Sequence, residues 1–470
     1  MALIDFKVLP GIDKQDTASG AEFRWVDCNN TRFRYGLPEK VGGWSSLVTD
    51  TIVGVARREF AFVDLDGNRY VAIGTDKFLL IYFEGQLYDI TPLKTTLTSA
   101  TLATTDTSAI CSITTGTNHD LSVGDIVLLD TVTLPVGTGY VDADFENKLF
   151  QVTSITSATV FTITQSTAAT ATVGTGGSLS VKPYEQVGPA EQSYGYGWGI
   201  DTWSSGKWGE AASASDVSLE PGLWSLSNFG QVLVATIANG KTFTWNAGDA
   251  ARLITRASTT TSGFETTNNP TATRITLVSP TTRHLIHLGT ETTIGDPTTQ
   301  DDMFIRFSDQ EDINDYVPTA INSAGSQRLQ DGTRIIGALK AKESILVWTD
   351  NALYTMKFIG APFTFGFEQV GTNCGLIGKN AAIEIDGMAF WMSSNGFFMF
   401  DGTVKSLPCS VEDYVYDQAD TTKGQQVYAG INNLFTEVVW YYPSTNSEYN
   451  DQYVVFNYGE PMKGGTWYIG

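Results

Sequence analysis

The side chains best suited to chemistry are few in this chain of 470 residues. Its histidines are His119, His284 and His287. The last two sit three apart in a run that reads as a strand, where odd spacing sends side chains to opposite faces. They are therefore poorly placed as a metal pair and are expected at core or edge positions. GLIGKNAA (residues 375–382) has a superficial likeness to a phosphate loop. It lacks the first glycine at the required spacing, carries Asn380 where Ser or Thr would hold magnesium, and precedes no strong helix. SDQEDINDY (308–316) has the carboxylate density of a calcium loop without its DxDxDG order or central glycine. VDADFE (141–146) would set Asp142, Asp144 and Glu146 on one face of a strand, as a solvated acidic edge that discourages stray strand pairing. No two carboxylates stand out as a glycosidase pair. Cys28, Cys111, Cys374 and Cys409 are scattered, with no CxxC and no nearby histidine, which reads as reduced thiols rather than a disulfide framework or zinc site. The expectation is a protein without catalytic, cofactor or metal residues, and not an enzyme.

One short stretch departs from this plainness. RFRYGLPEKVGGW (32–44) is basic, aromatic and turn-rich in a chain of formal net charge −22. Arg32 and Arg34 share a face if extended, while Leu37-Pro38 and Gly42-Gly43 favour turns that deliver Trp44 to a core. A local pairing of arginine with Glu39 is the simplest reading, and Arg32, Arg34, Glu39, Lys40 and Trp44 are also the candidate interface. Residues 1–60 carry eight Lys/Arg and eight Asp/Glu, so the negative excess lies entirely downstream. That acidity argues against a sequence-reading DNA binder but not against DNA that passes without sticking. No apolar run approaches the roughly 18–20 residues of a membrane span, and MALIDFKVLPGID lacks the pattern of a signal peptide. A soluble protein made in a cytoplasm is expected.

The elements that would position these residues are strands. Short β-branched or aromatic runs recur in pairs about Gly/Asn/Asp turns, as in RYVAIGTDKFLLIYFEGQLYDITP (69–92), ESILVWTDNALYTMKFIG and MAFWMSSNGFFMFDGTVKSLPC. Turns are expected at Thr349-Asp350-Asn351 and Ser394-Asn395-Gly396. Taking the first core strand of each unit near Tyr70, Val232, His284, Ile345, Ala389 and Glu437, the later spacings are 52, 61, 44 and 48 residues. Recurring strand units of that size point to an all-β chain, a β-propeller of about six blades.

The gap of 162 residues from Tyr70 to Val232 is too long for one blade. It contains a Thr/Ser/Ala-rich block without tryptophan, 93–182, in which HDLSVGDIVLLD and KLFQVTSITSATVFTIT read as strands. The chain then divides into an N-terminal segment and first blade (1–92), an inserted β-domain (93–185) and the remaining blades (186–470). TQSTAATATVGTGGS reads equally as a linker or a surface strand. SYGYGWGIDTWSSGKWGEA (193–211) is either a ring-lined loop able to stack on a ligand or an irregular loop whose tryptophans plug gaps between blades.

Taken as a set, GIDKQDTA, CNNTRFRYG, LPEKVGGW, TRIIGALKAKESILVWTDNALYTM, NCGLIGKNAAIEIDGMAFWMSSNGFFMFDGTVKSLPC and the glycine–tryptophan loop resemble the tail nozzle (tail tube, or knob) proteins of short-tailed bacteriophages. The insert resembles small β-modules of phage virion proteins. The resemblance covers most of the chain and implies a virion location and a homo-oligomeric ring, typically of six subunits, below the portal and adaptor. It also implies a propeller in each subunit about a channel for double-stranded DNA, contacts with tail fibre or other tail proteins, and no cofactor. Six copies would carry about −132 formal charges, and an acidic lumen repels phosphates and lets DNA slide. The terminal GGTWYIG reads as the middle of a hairpin, so the chain either is truncated or pairs its last strand with the N-terminal region. Two other readings compete: a virion protein recognising host-surface glycan through the Gly/Trp loop and the insert, and, behind it, a propeller-type glycan hydrolase.

Overall fold

The computed structural model describes residues 8–17, 19–21, 23–46, 48–191, 220–259, 268–459 and 466–470. The Gly/Trp loop at 193–211 falls outside them. The chain is nearly all β, with six small antiparallel sheets arranged as a six-bladed propeller and a closed six-stranded barrel. No helix among the described residues is long and apolar enough to cross a bilayer.

Each blade begins with an inner strand, and the inner strands are Ala56–Val63, Trp224–Phe229, Thr273–Val278, Ile335–Lys340, Ala382–Ile385 and Tyr428–Asn432. Beside them run Arg69–Thr75, Val232–Ile237, Leu285–Thr290, Ile345–Thr349, Met388–Ser393 and Glu437–Tyr442. The runs expected to open each unit are thus the second strands, and a further strand precedes every one. Second strands are sandwiched within a blade and between blades, so they are the continuous apolar runs that stand out in a sequence. The expected turns fall between Thr349 and Ala352 and between Ser393 and Gly396, where adjacent strands pair directly.

Indoles tie neighbouring segments of the ring. Trp224 Nε1 donates to the Thr75 carbonyl at 2.9 Å, Trp391 Nε1 to Cys374 at 2.9 Å, Trp440 Nε1 to Ala381 at 3.0 Å and Trp467 Nε1 to Pro408 at 2.8 Å. Each of these rings is fully buried. A tryptophan both fills the wedge between radially splayed sheets and satisfies a backbone carbonyl that a buried turn would otherwise strand.

The barrel strands are Leu97–Thr104, Ile110–Thr114, Ile126–Thr133, Lys148–Ser157, Val160–Thr164 and Val173–Pro183. Their alternation closes around Cys111, Phe145 and Phe161, all fully buried. Its two chain ends lie side by side at the Leu93–Tyr184 bridge. There Tyr184 Oη donates to Asp89 (2.6 Å) and Arg256 donates to both Asp89 (3.0 Å) and the tyrosine oxygen (2.6 Å). The TATVGTGGS run belongs to a barrel strand. VDADFE, by contrast, is no strand: Asp142–Asp144 is a 3-10 turn whose carboxylates accept from backbone amides. Asp144 accepts from Val141 (2.9 Å), Asp142 from Leu134 (2.8 Å) and Glu146 from Val132 (2.6 Å). These acids bind their own loop, which overrode the alternation.

The last strand, Thr466–Ile469, pairs with Gln452–Asn457 inside the sixth blade. The N-terminal segment docks on it: Ile12 N donates to the Trp467 carbonyl at 2.8 Å, and Lys14 N to Ser410 at 2.9 Å.

Candidate functional site

The N-terminal segment forms a small hairpin, Thr31–Arg34 with Leu37–Lys40. Arg32 does not use Glu39, which sits opposite it in register. It makes a bidentate pair with Glu437 of the sixth blade instead, Nε to Oε1 at 2.8 Å and Nη2 to Oε2 at 3.1 Å, with both side chains buried. The guanidinium also lies 3.5 Å over the Phe435 ring, and Arg34 approaches the same ring at 5.3 Å. The local pairing expected from sequence loses because a planar fork buried against a carboxylate and a ring gains more than an exposed strand pair. Trp44 corrects a second expectation. It is 84% exposed, not delivered to a core, and borders a cavity lined by Arg32, Glu437, Tyr453 and Tyr468; Tyr35 (84%) and Leu37 (70%) are exposed as well, as are Arg34 and Lys40, and Glu39 is half-buried.

The candidate metal and phosphate features resolve differently. His284 and His287 are fully buried and satisfied: His284 by Thr282 (2.7 Å) and Ser323 (3.0 Å), His287 by Thr273 (3.1 Å) and Tyr316 (3.0 Å). Burial, then the nearby Arg306, pushes the His287 imidazolium down to about 3. In SDQEDINDY, Asp309 accepts from the Ser323 amide (2.7 Å) and hydroxyl (2.5 Å), pinning a loop. Among the described residues no cluster of His, Cys, Asp or Glu could hold a metal ion.

GLIGKNAA behaves in a way its motif does not announce. The loop runs into the propeller axis ahead of the fifth blade. Gly378 packs so closely that a Cβ there would lie 2.0 Å from the Gly424 carbonyl oxygen, so only glycine allows the approach. Lys379 then reaches the second blade, donating from Nζ to Ser225 Oγ at 2.6 Å. Asn380 reaches the first, donating from Nδ2 to the Arg57 carbonyl (3.1 Å) and accepting from Arg58 Nη1 (3.1 Å).

Around this crossing lie two adjoining cavities. One, of about 160 Å³, is lined from the inner strands of the first four blades and by Lys379 and Asn380. The other, of about 390 Å³, is lined by Arg57, Arg58, Asn380, Gln425, Gln426, Tyr428, Tyr441, Tyr449 and Asn450, among others. Between them five blades contribute, with the loop ahead of the fifth supplying Lys379 and Asn380. A register shift between Ala56 and Arg58 makes a bulge in the first inner strand, so two consecutive arginines face the same cavity.

The charge here runs against the composition. Arg57, Arg58, Lys340 and Lys379 line the two cavities with a single carboxylate, Glu59. Burial, then Arg58 and Arg274, pushes the Lys379 ammonium down to about 7, against the pull of Glu220. Burial and then Arg58 push Lys340 down to about 8. Burial also lowers Arg57 and Arg58. Sequence reasoning missed all four residues. The available signal was a cation inside an apolar run of an acidic protein, as in IIGALKAK and EIDG-flanked GLIGKN.

No protein-family model and no curated protein matches the chain. Among solved structures, the phage phi92 endosialidase aligns at 11% identity and a TM-score of 0.24, covering 92% of this chain and 59% of that one. Apo AztD from Citrobacter koseri aligns at 8% identity and 0.26, covering 80% and 98%. This chain thus spans less than two thirds of the endosialidase chain. At TM-scores this low, neither likeness informs the function.

Proposed function

We propose that this chain is a structural subunit of a short-tailed bacteriophage tail, one copy of a nozzle ring that continues the DNA channel below the portal and adaptor, with no catalytic activity. Beside the sequence resemblance, the observation that carries this reading is the N-terminal hairpin. It is rooted by the buried Arg32–Glu437 pair while Tyr35 and Leu37 stay exposed, and Trp44, just past it, is exposed beside the cavity that Arg32 and Glu437 line. Ring-forming interfaces are heterologous and draw on aromatic and arginine anchors presented on a fixed backbone. In this arrangement Trp44 and Leu37 meet a neighbouring subunit or the adaptor, with Arg34, Glu39 and Lys40 at the rim. Arg32 works from behind as the root. The axial cavities are of small-ligand size, so duplex DNA runs between subunits and not through a propeller. The net charge of −22 per chain suits a lumen that does not retain phosphates.

Imaging of purified tails is the test. Six copies about a central channel are expected, and a monomer absent from the virion would remove the assignment. Deleting residues 93–182 offers a second test: particles that assemble and retain DNA but no longer adsorb would move the chain to host-surface recognition.

A further inference from the structure

The axial cavities hold a surplus of donors with almost nothing to receive them. Arg57 and Gln426 are more than nine-tenths buried, and among the described residues Arg57 Nε and Gln426 Nε2 have no hydrogen-bond partner, while Arg57 Nη2 donates to the Ala190 carbonyl. Both residues line the larger cavity. Buried donors are rarely left unpaired, and each one costs the full desolvation of its N–H. Arg58 and Lys340 form no ion pair among the described residues, and Lys379 holds only the Ser225 hydroxyl at bonding distance. Cations that share a confined space and repel one another are held there at a cost that an anion would remove. On the wall opposite the cations stand phenol rings and amides, groups that meet hydroxyls and ring faces.

We propose that the axial cavity binds a small ligand carrying an oxyanion on a hydroxylated ring, a carboxylated or phosphorylated sugar. Arg57 and Arg58, which line the larger cavity, meet the anion, and Tyr428, Tyr441 and Asn450 of the same cavity meet the ring, while Lys379 stands across the smaller cavity that Arg58 also lines. The bulge at Ala56–Arg58 turns both arginines to the larger cavity, and the glycine-tight loop at 375–380 brings Lys379 to the smaller one. The proposal does not depend on the nozzle reading, since the site lies inside one chain.

The experiment is calorimetric and thermal-shift titration of the full chain at pH 7 with four probes: glucuronate, glucose 6-phosphate, inorganic phosphate and glucose. One or both acidic sugars are expected to bind and raise Tm, and which one does separates the carboxylate from the phosphate source. Glucose leaves Tm unchanged. Arg57→Gln, at a residue that lines the larger cavity, is expected to weaken binding about 10- to 100-fold. Arg58→Gln weakens it similarly. Lys405→Met, whose residue pairs with Asp401 on an outer strand, binds as the parent does. Inorganic phosphate binding as tightly as glucose 6-phosphate would overturn the sugar component. No response to any probe, an equal response to glucose, or unchanged binding by both Arg57→Gln and Arg58→Gln would overturn the site.

Discussion

Glu437 and Arg32 are the clearest case of a residue pair whose worth depends on keeping both members. The pair is buried and bidentate, so Glu437→Gln leaves a guanidinium without its counter-charge. That change is expected to cost about 3–5 kcal/mol in urea unfolding, whereas replacing both residues with apolar ones costs far less. The lysines of the axis behave in the opposite sense. Lys379 and Lys340 hold their protons in the unfolded chain up to the ordinary lysine range but lose them near 7 and 8 when folded. Between about pH 7 and pH 10 the unfolded state therefore binds more protons, and stability rises with pH. The groups facing Lys379 are Arg58 and Arg274, with Glu220 in partial opposition, and Arg58 faces Lys340. Unfolding midpoints at pH 7 and pH 9 should show a gain on the order of 3–4 kcal/mol in the parent, and Lys379→Met should lose more than half of it.

At the scale of elements, the propeller was legible and its inner strands were not. The second strands, such as ILVWT and MAFWMS, are buried on both faces and stand out as apolar runs. Several inner strands carry polar or charged residues among their apolar ones, as in ARREFAFV, WSLSNF and YAGIN, because one end of each faces the axis. The strands hardest to see are therefore those that line the site, which is why Arg58 and Lys340 do not announce themselves. Lys379 is hidden for another reason: its loop imitates a nucleotide motif, and the contact that places it, to Ser225, spans 154 residues. The RFRYG hairpin was legible as a feature, but its partner Glu437 lies 405 residues away and no local rule points to it. Close packing between elements makes its own predictions. A Cβ on Gly74 would lie 2.6 Å from the Trp224 ring, so Gly74→Val should part the first two blades and lower Tm by several degrees, read by calorimetry. Arg256→Ala removes the donor shared by Asp89 and Tyr184. It should loosen the barrel root, seen as faster amide exchange at residues 89–94 and 183–185 with little change in the barrel core.

For the whole molecule, the decisive surface is the N-terminal segment's exposed apolar side chains, Tyr35, Leu37 and Trp44. Trp44→Ala with Leu37→Ser should leave the monomer's unfolding midpoint within about 0.5 kcal/mol of the parent, since both side chains are exposed. It should sharply reduce ring or tail assembly, measured by the mass of purified particles, and normal tails from this variant would refute the interface. The seating of the N-terminal arm also sets an order in time. Ile12 hydrogen-bonds to Trp467 and Arg32 to Glu437, so residues 12–32 have no seat until residues 437–469 have been made. The arm that would recruit a neighbour is thus unanchored throughout synthesis, and association before the propeller is complete is disfavoured. A chain stopped after residue 451 should keep residues 8–44 open to protease while its first blades resist, and the same segment should become resistant once the full chain folds.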